Sequence, residues 1–307
     1  MNTKNSYVPW LILFVLALTW GSSFILIKHG LMGFGGDSSI VGALRIVISF
    51  LVLLPLAIAK LGKVKRRHWM VLAIVGVISN AAPSFLFAQA QTHLDSNTAG
   101  ILNSLTTLFT LIIGLAFFKL KPRWVNIGGV FIGLIGAIGL IHFSGDGGFV
   151  FNIKYAVYVL MATLCYATAV NLIKEYLADL DALSITSVSF LLIGLPLTVY
   201  LLFFTDFVHD LSTTEEAWAG LGYISILGIV GTALALIFFN NLIKMTSALF
   251  AASVTYMIPI VAIAWGLIDG ESFKWNYLLW IMMILLGVYL VNAKHLFSKK
   301  SAKSFVQ

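Results

Sequence analysis

Long apolar stretches alternate with short polar or charged connections along almost the entire chain. An apolar helix of about 18 to 20 residues is long enough to cross the hydrocarbon core of a bilayer. Glycine, proline and charged clusters between the stretches mark where such helices end. The pattern therefore predicts an all-α integral membrane protein with ten transmembrane helices. Their predicted bounds are 9–29, 37–59, 69–89, 96–118, 124–143, 153–174, 184–204, 217–241, 247–268 and 275–293.

The composition agrees with membrane insertion and excludes the common soluble classes. Apolar residues make up 60% of the chain and charged residues only 10%, whereas soluble proteins carry about 25% charged residues. The predicted connections are too short for a folded soluble domain. Soluble enzymes and nucleic-acid-binding proteins are therefore excluded, despite a net charge of +7. Cys165 is the single cysteine, so an internal disulfide is excluded as well.

The distribution of Lys and Arg predicts the orientation, because cytoplasmic connections are enriched in both residues. With the N-terminus inside, 15 of the 19 Lys and Arg residues fall on the cytoplasmic side. Three fall on the outer side, and Arg45 lies within a span. The sequence therefore predicts that both termini are cytoplasmic, and the net positive charge is interpreted as a topology signal.

The chain also contains an internal repeat. Residues 84–141 align with 235–292 at an offset of 151 without a gap, and 20–28 align with 166–174. The two predicted repeats, 9–143 and 153–293, contain five helices each. Because five is odd, the second repeat enters the membrane from the opposite side. This inverted arrangement is widespread among secondary transporters, whose substrate sites lie near the midplane between the repeats.

Four segments carry a resemblance to a known family: LTWGSSFILIK (18–28), ALR (43–45), YMIPIVAIAWGLIDGES (256–272) and WNYLLWIMMILLGVYLV (275–291). In these segments and in its helix count, the chain resembles the EamA-type exporters of the drug/metabolite transporter superfamily. The resemblance implies export of small organic metabolites, amino acids among them, by a plasma-membrane protein.

The two halves match the pattern of this family unequally. In the family, each half tends to carry a central proline in its fourth helix and then a short Gly-Glu turn. The second half fits this pattern with Pro259, Gly270 and Glu271. The first half has Leu108 in place of the proline and KLKP (119–122) in place of the turn.

Catalytic motifs are missing from the sequence. It contains no G-x-x-x-x-G-K-[ST], no H-E-x-x-H and no G-x-S-x-G, and no Asp or Glu lies away from the ends of a span. We therefore expect no catalytic residue, no metal and no cofactor. The remaining functional hypotheses are a secondary transporter working by alternating access, a passive pore and, third, a membrane enzyme or scaffold.

Polar residues inside spans point to a substrate cavity, because their cost in lipid makes them face a bundle interior or water. Several helices bring such groups to one level near mid-depth. The substrate is expected to be a small molecule. The predicted substrate-binding residues are Trp20, Arg45, Asn80, Asn103, Thr107, Tyr166, Thr232 and Tyr256. The alternative for Ser and Thr is hydrogen bonding within or between helices, and the alternative for the aromatic residues is packing or an interface belt.

Arg45 is the most distinctive single residue, since a buried guanidinium needs an anion or carbonyl oxygens. Three roles remain open for it: snorkelling to the outer surface, binding a substrate carboxylate, and a structural bond to a helix end. By contrast, the fifth helix carries Gly129 and Gly133 in a G-x-x-x-G step and almost no polar side chain. The fifth and tenth helices are interpreted as scaffold or as a homodimer contact.

No titratable side chain that commonly carries protons lies in the middle of a predicted span. All Asp and Glu residues, and all six His residues, fall in tails, connections or span ends. Proton-driven carriers generally place such a group in the pathway. The sequence therefore predicts transport down the gradient of the substrate itself, or by exchange, without obligatory proton movement.

Overall fold

The computed structural model describes residues 7–118, 124–143, 153–271 and 275–292, and within these residues the chain is helical and contains no β-strand. The first half contains α1 Val8–Gly21, α2 Ser23–Gly33, α3 Ser38–Lys60, α4 His68–Gly76, α5 Ala82–Gln91, α6 Ser96–Asn103, α7 Leu105–Phe117 and α8 Trp124–Phe143. The second half contains α9 Ile153–Tyr176, α10 Ala182–Phe203, α11 Phe207–Thr213, α12 Glu215–Ile226, α13 Ala235–Met245, α14 Ala248–Ala252, α15 Ile258–Ile268 and α16 Asn276–Asn292. The predicted all-α class is confirmed.

Eight helical stretches of the described chain are long and apolar enough to cross a membrane. They are Val8–Gly33, Ser38–Lys63, His68–Gln91, Ser96–Phe117, Lys154–Tyr176, Ala182–Phe203, Glu215–Met245 and Phe250–Ile268. Two shorter apolar stretches, Trp124–Gly136 and Leu278–Gly287, lie within α8 and α16. Each of these ten stretches overlaps one of the predicted spans.

Several spans predicted as single helices are interrupted near the middle. In the third span, a π-helical turn at Val77–Ala81 separates α4 from α5, and in the eighth, a π-helical turn at Leu227–Leu234 separates α12 from α13. The two turns coincide at the repeat offset of 151. Pro83 lies just beyond the first turn and has no N–H to continue the helical ladder, which is one physical reason for the break.

The fourth and ninth spans are also broken. α6 and α7 meet at Ser104, and a 3₁₀ turn at Ser253–Tyr256 separates α14 from α15 just before Pro259. The break in the ninth span lies next to Pro259, whereas the break at Ser104 has no proline beside it. Breaks of this kind free backbone groups in the interior, and such groups are tolerated where they line a cavity or find other partners.

Helix packing follows the same plan in both halves. α3 runs along α10 and α8 runs along α16, so equivalent helices of the two halves pair with each other. α12 packs on α2, and correspondingly α5 packs on α9. Helices α6 and α7 pack on α15 and α14. The interior between the halves is thus enclosed by the broken helices together with α3 and α9.

The contact between α8 and α16 is close because glycines face each other. A Cβ built on Gly287 would lie 2.5 Å from the Gly129 carbonyl oxygen and 2.7 Å from the Gly133 Cα. A Cβ built on Gly136 would lie 2.8 Å from the Ile284 nitrogen. The glycine face that suggested a homodimer contact is therefore occupied within the chain, which favours the scaffold interpretation; a homodimer through these helices would use other faces.

Candidate functional site

A cavity of about 820 Å³, including its opening, lies between the two halves. Residues from both halves form its wall, most of them on the interrupted helices. The lining residues are Trp20, Ser23, Phe24, Ile27, Arg45, Ile46, Ser79, Asn80, Phe87, Asn103, Thr106, Tyr166, Val170, Gly231, Thr232, Leu236, Phe239, Ala252, Thr255 and Ile258.

Most of the predicted substrate-binding residues meet at this cavity. Those that line it are Trp20, Arg45, Asn80, Asn103, Tyr166 and Thr232. Thr107 is fully buried and is not part of the lining. The side chain of Tyr256 lies outside the described residues, although the backbone there forms the end of the 3₁₀ turn.

Arg45 is partly buried and lines the cavity. Its Nε donates to the Thr232 hydroxyl over 2.8 Å, and the Thr232 hydroxyl in turn donates to the Leu227 carbonyl over 3.0 Å. Tyr166 lies beside the guanidinium from the opposite half of the wall. Within the described residues, no Asp or Glu forms an ion pair with Arg45. A cationic group with further N–H donors therefore faces the cavity.

Side chains of neighbouring helices donate hydrogen bonds to backbone carbonyls of the π-helical turn that carries Thr232. The Ser49 hydroxyl, one turn below Arg45, lies 2.8 Å from the Gly228 carbonyl oxygen and donates to it. The indole N–H of Trp20 donates to the Gly231 carbonyl over 2.9 Å. These bonds satisfy carbonyl groups at the widened turn and so fix the position of Thr232, the partner of Arg45.

Two amide side chains contribute the remaining strong polar groups. Asn80 is only 8% exposed, and its Oδ1 is buried without a hydrogen-bond partner. Asn103 is 5% exposed, and its Oδ1 accepts from Thr106 over 3.4 Å. A buried amide oxygen without a partner is costly, so Asn80 is well placed to receive a hydrogen bond from a ligand or from water.

Aromatic rings form the apolar part of the wall. Trp20 and Phe239 make an edge contact at a centroid distance of 4.9 Å. Phe24 and Phe87 lie 5.6 Å apart, and Phe87 stacks on Tyr166 at 6.0 Å. Phe24 and Phe239 were not among the site residues predicted from the sequence. The one available signal was helical spacing, because Phe24 follows Trp20 by four residues and shares its face.

Thr107 connects two helices at the crossing of the fourth and ninth spans. Its hydroxyl donates to the Ala252 carbonyl over 2.9 Å and lies 3.1 Å from the Thr255 hydroxyl. The Thr255 hydroxyl lies 3.5 Å from the Ser104 carbonyl, and these two residues are separated by the repeat offset of 151. Thr107 therefore has the helix-bonding role that the sequence analysis weighed as the alternative for threonines.

The described residues contain no group of three or more His, Cys, Asp or Glu that could hold a metal ion. Among the described residues of the cavity lining, Arg45 and Tyr166 are the only titratable side chains. The site thus offers a guanidinium, amides, hydroxyls and aromatic faces, which are groups that bind and orient a small molecule.

Three comparisons with known proteins give concordant results. The model of the EamA-like transporter family matches residues 8–141 and again 153–293. A "Probable terminal-alkyne amino-acid exporter" of Streptantibioticus cattleyicolor is 23% identical over 308 residues, covering 98% of each chain. The "Uncharacterized inner membrane transporter YedA" of Escherichia coli K12 is 23% identical, covering 94% of this chain and 92% of that protein. A protein of known crystal structure aligns with a TM-score of 0.65 at 16% identity, covering 94% of this chain and 98% of the other, which supports the fold alone.

Proposed function

The chain belongs to the EamA-like transporter family, and we propose that it exports or exchanges a small organic metabolite across the inner membrane by alternating access. The family and the named relatives are membrane transporters rather than enzymes, and one is an inner-membrane protein. The relative named as an amino-acid exporter makes amino acids the first substrates to test.

The observation that carries this proposal is the single cavity in which Arg45, Asn80 and Asn103 meet an aromatic wall. Arg45 would bind a carboxylate, since a guanidinium presents paired N–H donors that match its two oxygens. The partnerless Asn80 Oδ1 would accept from an ammonium or hydroxyl group. The aromatic rings would cover the apolar body of the substrate.

Alternating access is supported by the way in which the two halves correspond. The proposed repeats, 9–143 and 153–293, carry π-helical turns at equivalent positions and pair equivalent helices across their contact. In a ten-helix protein with five helices per repeat, this correspondence fits an inverted pair. Rocking of one repeat against the other would then expose the cavity to each side in turn.

The experiment for this function is transport by the purified protein in liposomes loaded with individual amino acids. We expect saturable counterflow that needs no pH gradient, because the lining residues that the structure describes include no Asp, Glu or His. An imposed pH gradient at zero membrane potential is expected to leave the final distribution unchanged. A flux that rises linearly with concentration would indicate a passive pore, and uphill uptake that collapses with a protonophore would contradict the uncoupled mechanism.

Variants of Asn103 and Thr107 distinguish the loss of a cavity side chain from the loss of a contact between helices. Asn103→Leu is expected to lower the transport rate about tenfold or more while abundance in the membrane stays near the wild-type level, because a ligand-facing amide is lost. Thr107 lies one helical turn after Asn103, and its hydroxyl bonds to α14. Thr107→Val is therefore expected to lower thermal stability instead, with little change in substrate affinity. Equal loss of transport in both variants, or normal transport by Asn103→Leu, would contradict the assignment of Asn103.

The orientation is proposed from the charge distribution, with both termini in the cytoplasm. A reporter placed after Gln307 or within 62–67 is expected to read cytoplasmic, and one within 207–214 is expected to read external. Five predicted spans separate the two internal positions. A reading on the same side for 62–67 and 207–214 would therefore rule out the ten-helix topology.

A further inference from the structure

A cluster of charged side chains lies at one end of the bundle, away from the cavity. Lys28, in the middle of α2, forms ion pairs with Asp269 at 2.6 Å and with Glu271 at 3.0 Å. His29 lies 3.1 Å from the other Asp269 oxygen. The hydrogen bond from Lys28 holds the pKa of the Asp269 carboxyl below its usual value, so this carboxylate stays ionised at neutral pH.

Glu271 has a second set of contacts, to the start of α6. Its Oε1 accepts from the Ser96 backbone N–H and its Oε2 accepts from the Asn97 backbone N–H, both over 3.1 Å. Asp95, at the N-cap position of α6, makes no side-chain capping hydrogen bond. The carboxylate of Glu271 thus caps a helix that lies far from it in the sequence. The Glu271 side chain is only 3% exposed. A carboxylate at a helix N-terminus is stabilised both by hydrogen bonds and by the helix dipole.

The backbone around Glu271 is shaped to bring the carboxylate to this position. Gly270 has a φ of +82°, a left-handed conformation that glycine adopts without strain. A Cβ on Gly266 would lie 2.5 Å from the Glu271 Oε2, so the missing side chain leaves room for the carboxylate. The turn from α15 therefore directs Glu271 towards the first half of the chain.

The cap joins the two regions that the family model matches separately. Ser96 and Lys28 lie in the match at 8–141, whereas Glu271 lies in the match at 153–293. Lys28 and Ser96 are both at the outer end of their spans in the proposed orientation. Any motion that opens the outer end between the halves has to separate the Glu271 carboxylate from at least one of these partners.

At the opposite end of the bundle, charged groups also pair between the halves, as in Lys60 with Asp181 at 3.4 Å, but the residue equivalent to Lys28 has different partners. Lys174, which aligns with Lys28 in the repeat, donates to the carbonyls of Ile243 and Thr246 over 2.9 and 2.8 Å. The residue that aligns with Glu271 at an offset of 151 is Leu120, so no carboxylate stands at the equivalent sequence position. Of these two aligned positions, only the one at the outer end carries a carboxylate that caps a helix.

We propose that Glu271 is the outer latch of the transporter: while it caps α6 and pairs with Lys28, the cavity is closed to the outside. This inference rests on the proposed alternating access. Substrate loading then takes place from the cytoplasmic side in the latched state. Release to the outside requires Glu271 to leave the Ser96 and Asn97 amides. Glu271 acts through the helices and has no contact with the substrate, so it is a positioning residue.

Sided thiol labelling tests the latch without depending on transport. A cavity cysteine, Asn103→Cys, is placed in a Cys165→Ala background, and a membrane-impermeant maleimide is applied to right-side-out or inside-out vesicles. With Glu271 present, we expect labelling mainly from the cytoplasmic side. Glu271→Gln is expected to raise the external labelling rate about tenfold or more and to lower the cytoplasmic rate, because the lost charge-assisted bonds shift the population towards the outward-open state.

Two further variants keep the result interpretable. Glu215→Gln removes an exposed acid on the same proposed side of the membrane and is expected to leave both labelling rates unchanged. Lys28→Gln keeps the helix cap but removes the ion pair, and we expect a smaller shift in the same direction; it replaces Glu271→Gln if that variant does not fold. Unchanged external labelling in the folded variants would overturn the latch. An equal rise on both sides would show general loosening and would also overturn it, whereas fast labelling from both sides in the parent protein would contradict alternating access itself.

Discussion

Arg45→Gln is expected to abolish most transport while the protein still folds and inserts. The guanidinium is the one fixed positive charge among the described lining residues; its Nε donates to Thr232, and Tyr166 lies beside it. Removing one partner of a buried charge-assisted hydrogen bond costs about 2–5 kcal/mol, which is roughly 30-fold or more in apparent substrate affinity. Counterflow rates measured across substrate concentrations in liposomes would show this as a large rise in KM.

Two control variants separate the charge of Arg45 from its geometry. Arg45→Lys keeps the charge but loses the paired donors, and we expect an intermediate loss. Thr232→Val leaves the guanidinium in place but removes the hydroxyl that orients it, so a smaller rise in KM is expected. The carboxylate role would be refuted by wild-type KM in Arg45→Gln for every carboxylate-bearing substrate that the protein transports.

Gly287→Leu is expected to prevent stable folding, with the loss of most of the protein from the membrane fraction. The built Cβ would lie 2.5 Å from the Gly129 carbonyl oxygen and 2.7 Å from the Gly133 Cα, and neither backbone atom can move aside without separating α8 from α16. Overpacking usually costs about 1–3 kcal/mol and sometimes more, and a backbone contact at a helix crossing belongs at the upper end of that range. Membrane abundance and the thermal unfolding temperature in detergent are the measurements.

Gly128 provides the matched control on α8. A Cβ at Gly128 would have no heavy atom within 4 Å, so Gly128→Leu is expected to leave abundance and unfolding temperature close to the wild-type values. Similar losses in Gly128→Leu and Gly287→Leu would show that added volume in lipid, rather than the helix contact, is responsible.

Depth along each helix could be predicted from the sequence, whereas rotation about the helix axis could not. Counting residues from the span ends placed Thr107 near mid-depth, and the consecutive Thr106 lies at nearly the same level. The structure turns Asn103 and Thr106 towards the cavity and turns Thr107 towards Ala252 and Thr255. Successive residues of an α-helix are rotated by about 100°, so the consecutive Thr106 and Thr107 face different partners. The break at Ser104 separates Asn103 from Thr107, with which it would share a face in a continuous helix. Only packing between the halves selects which of them meets the substrate.

Arg45 shows the same limit for a charged residue. Its depth in the second span could be predicted from the sequence, whereas the direction of its guanidinium could not. The direction was decided by Thr232, which lies 187 positions away in the sequence and on a π-helical turn. No local pattern had indicated that turn.

The membrane class, the approximate spans and the family could be predicted from the sequence, because these depend on hydropathy and on residue identity along one segment at a time. Tertiary structure decided the cavity wall, the role of Thr107 and the cap that Glu271 places on α6. The hydrogen bonds from Ser96 and Asn97 to Glu271 join residues 175 and 174 positions apart. Contacts of that kind arise where the two halves meet, and their energy depends on burial and distance, which exist only once the helices are packed.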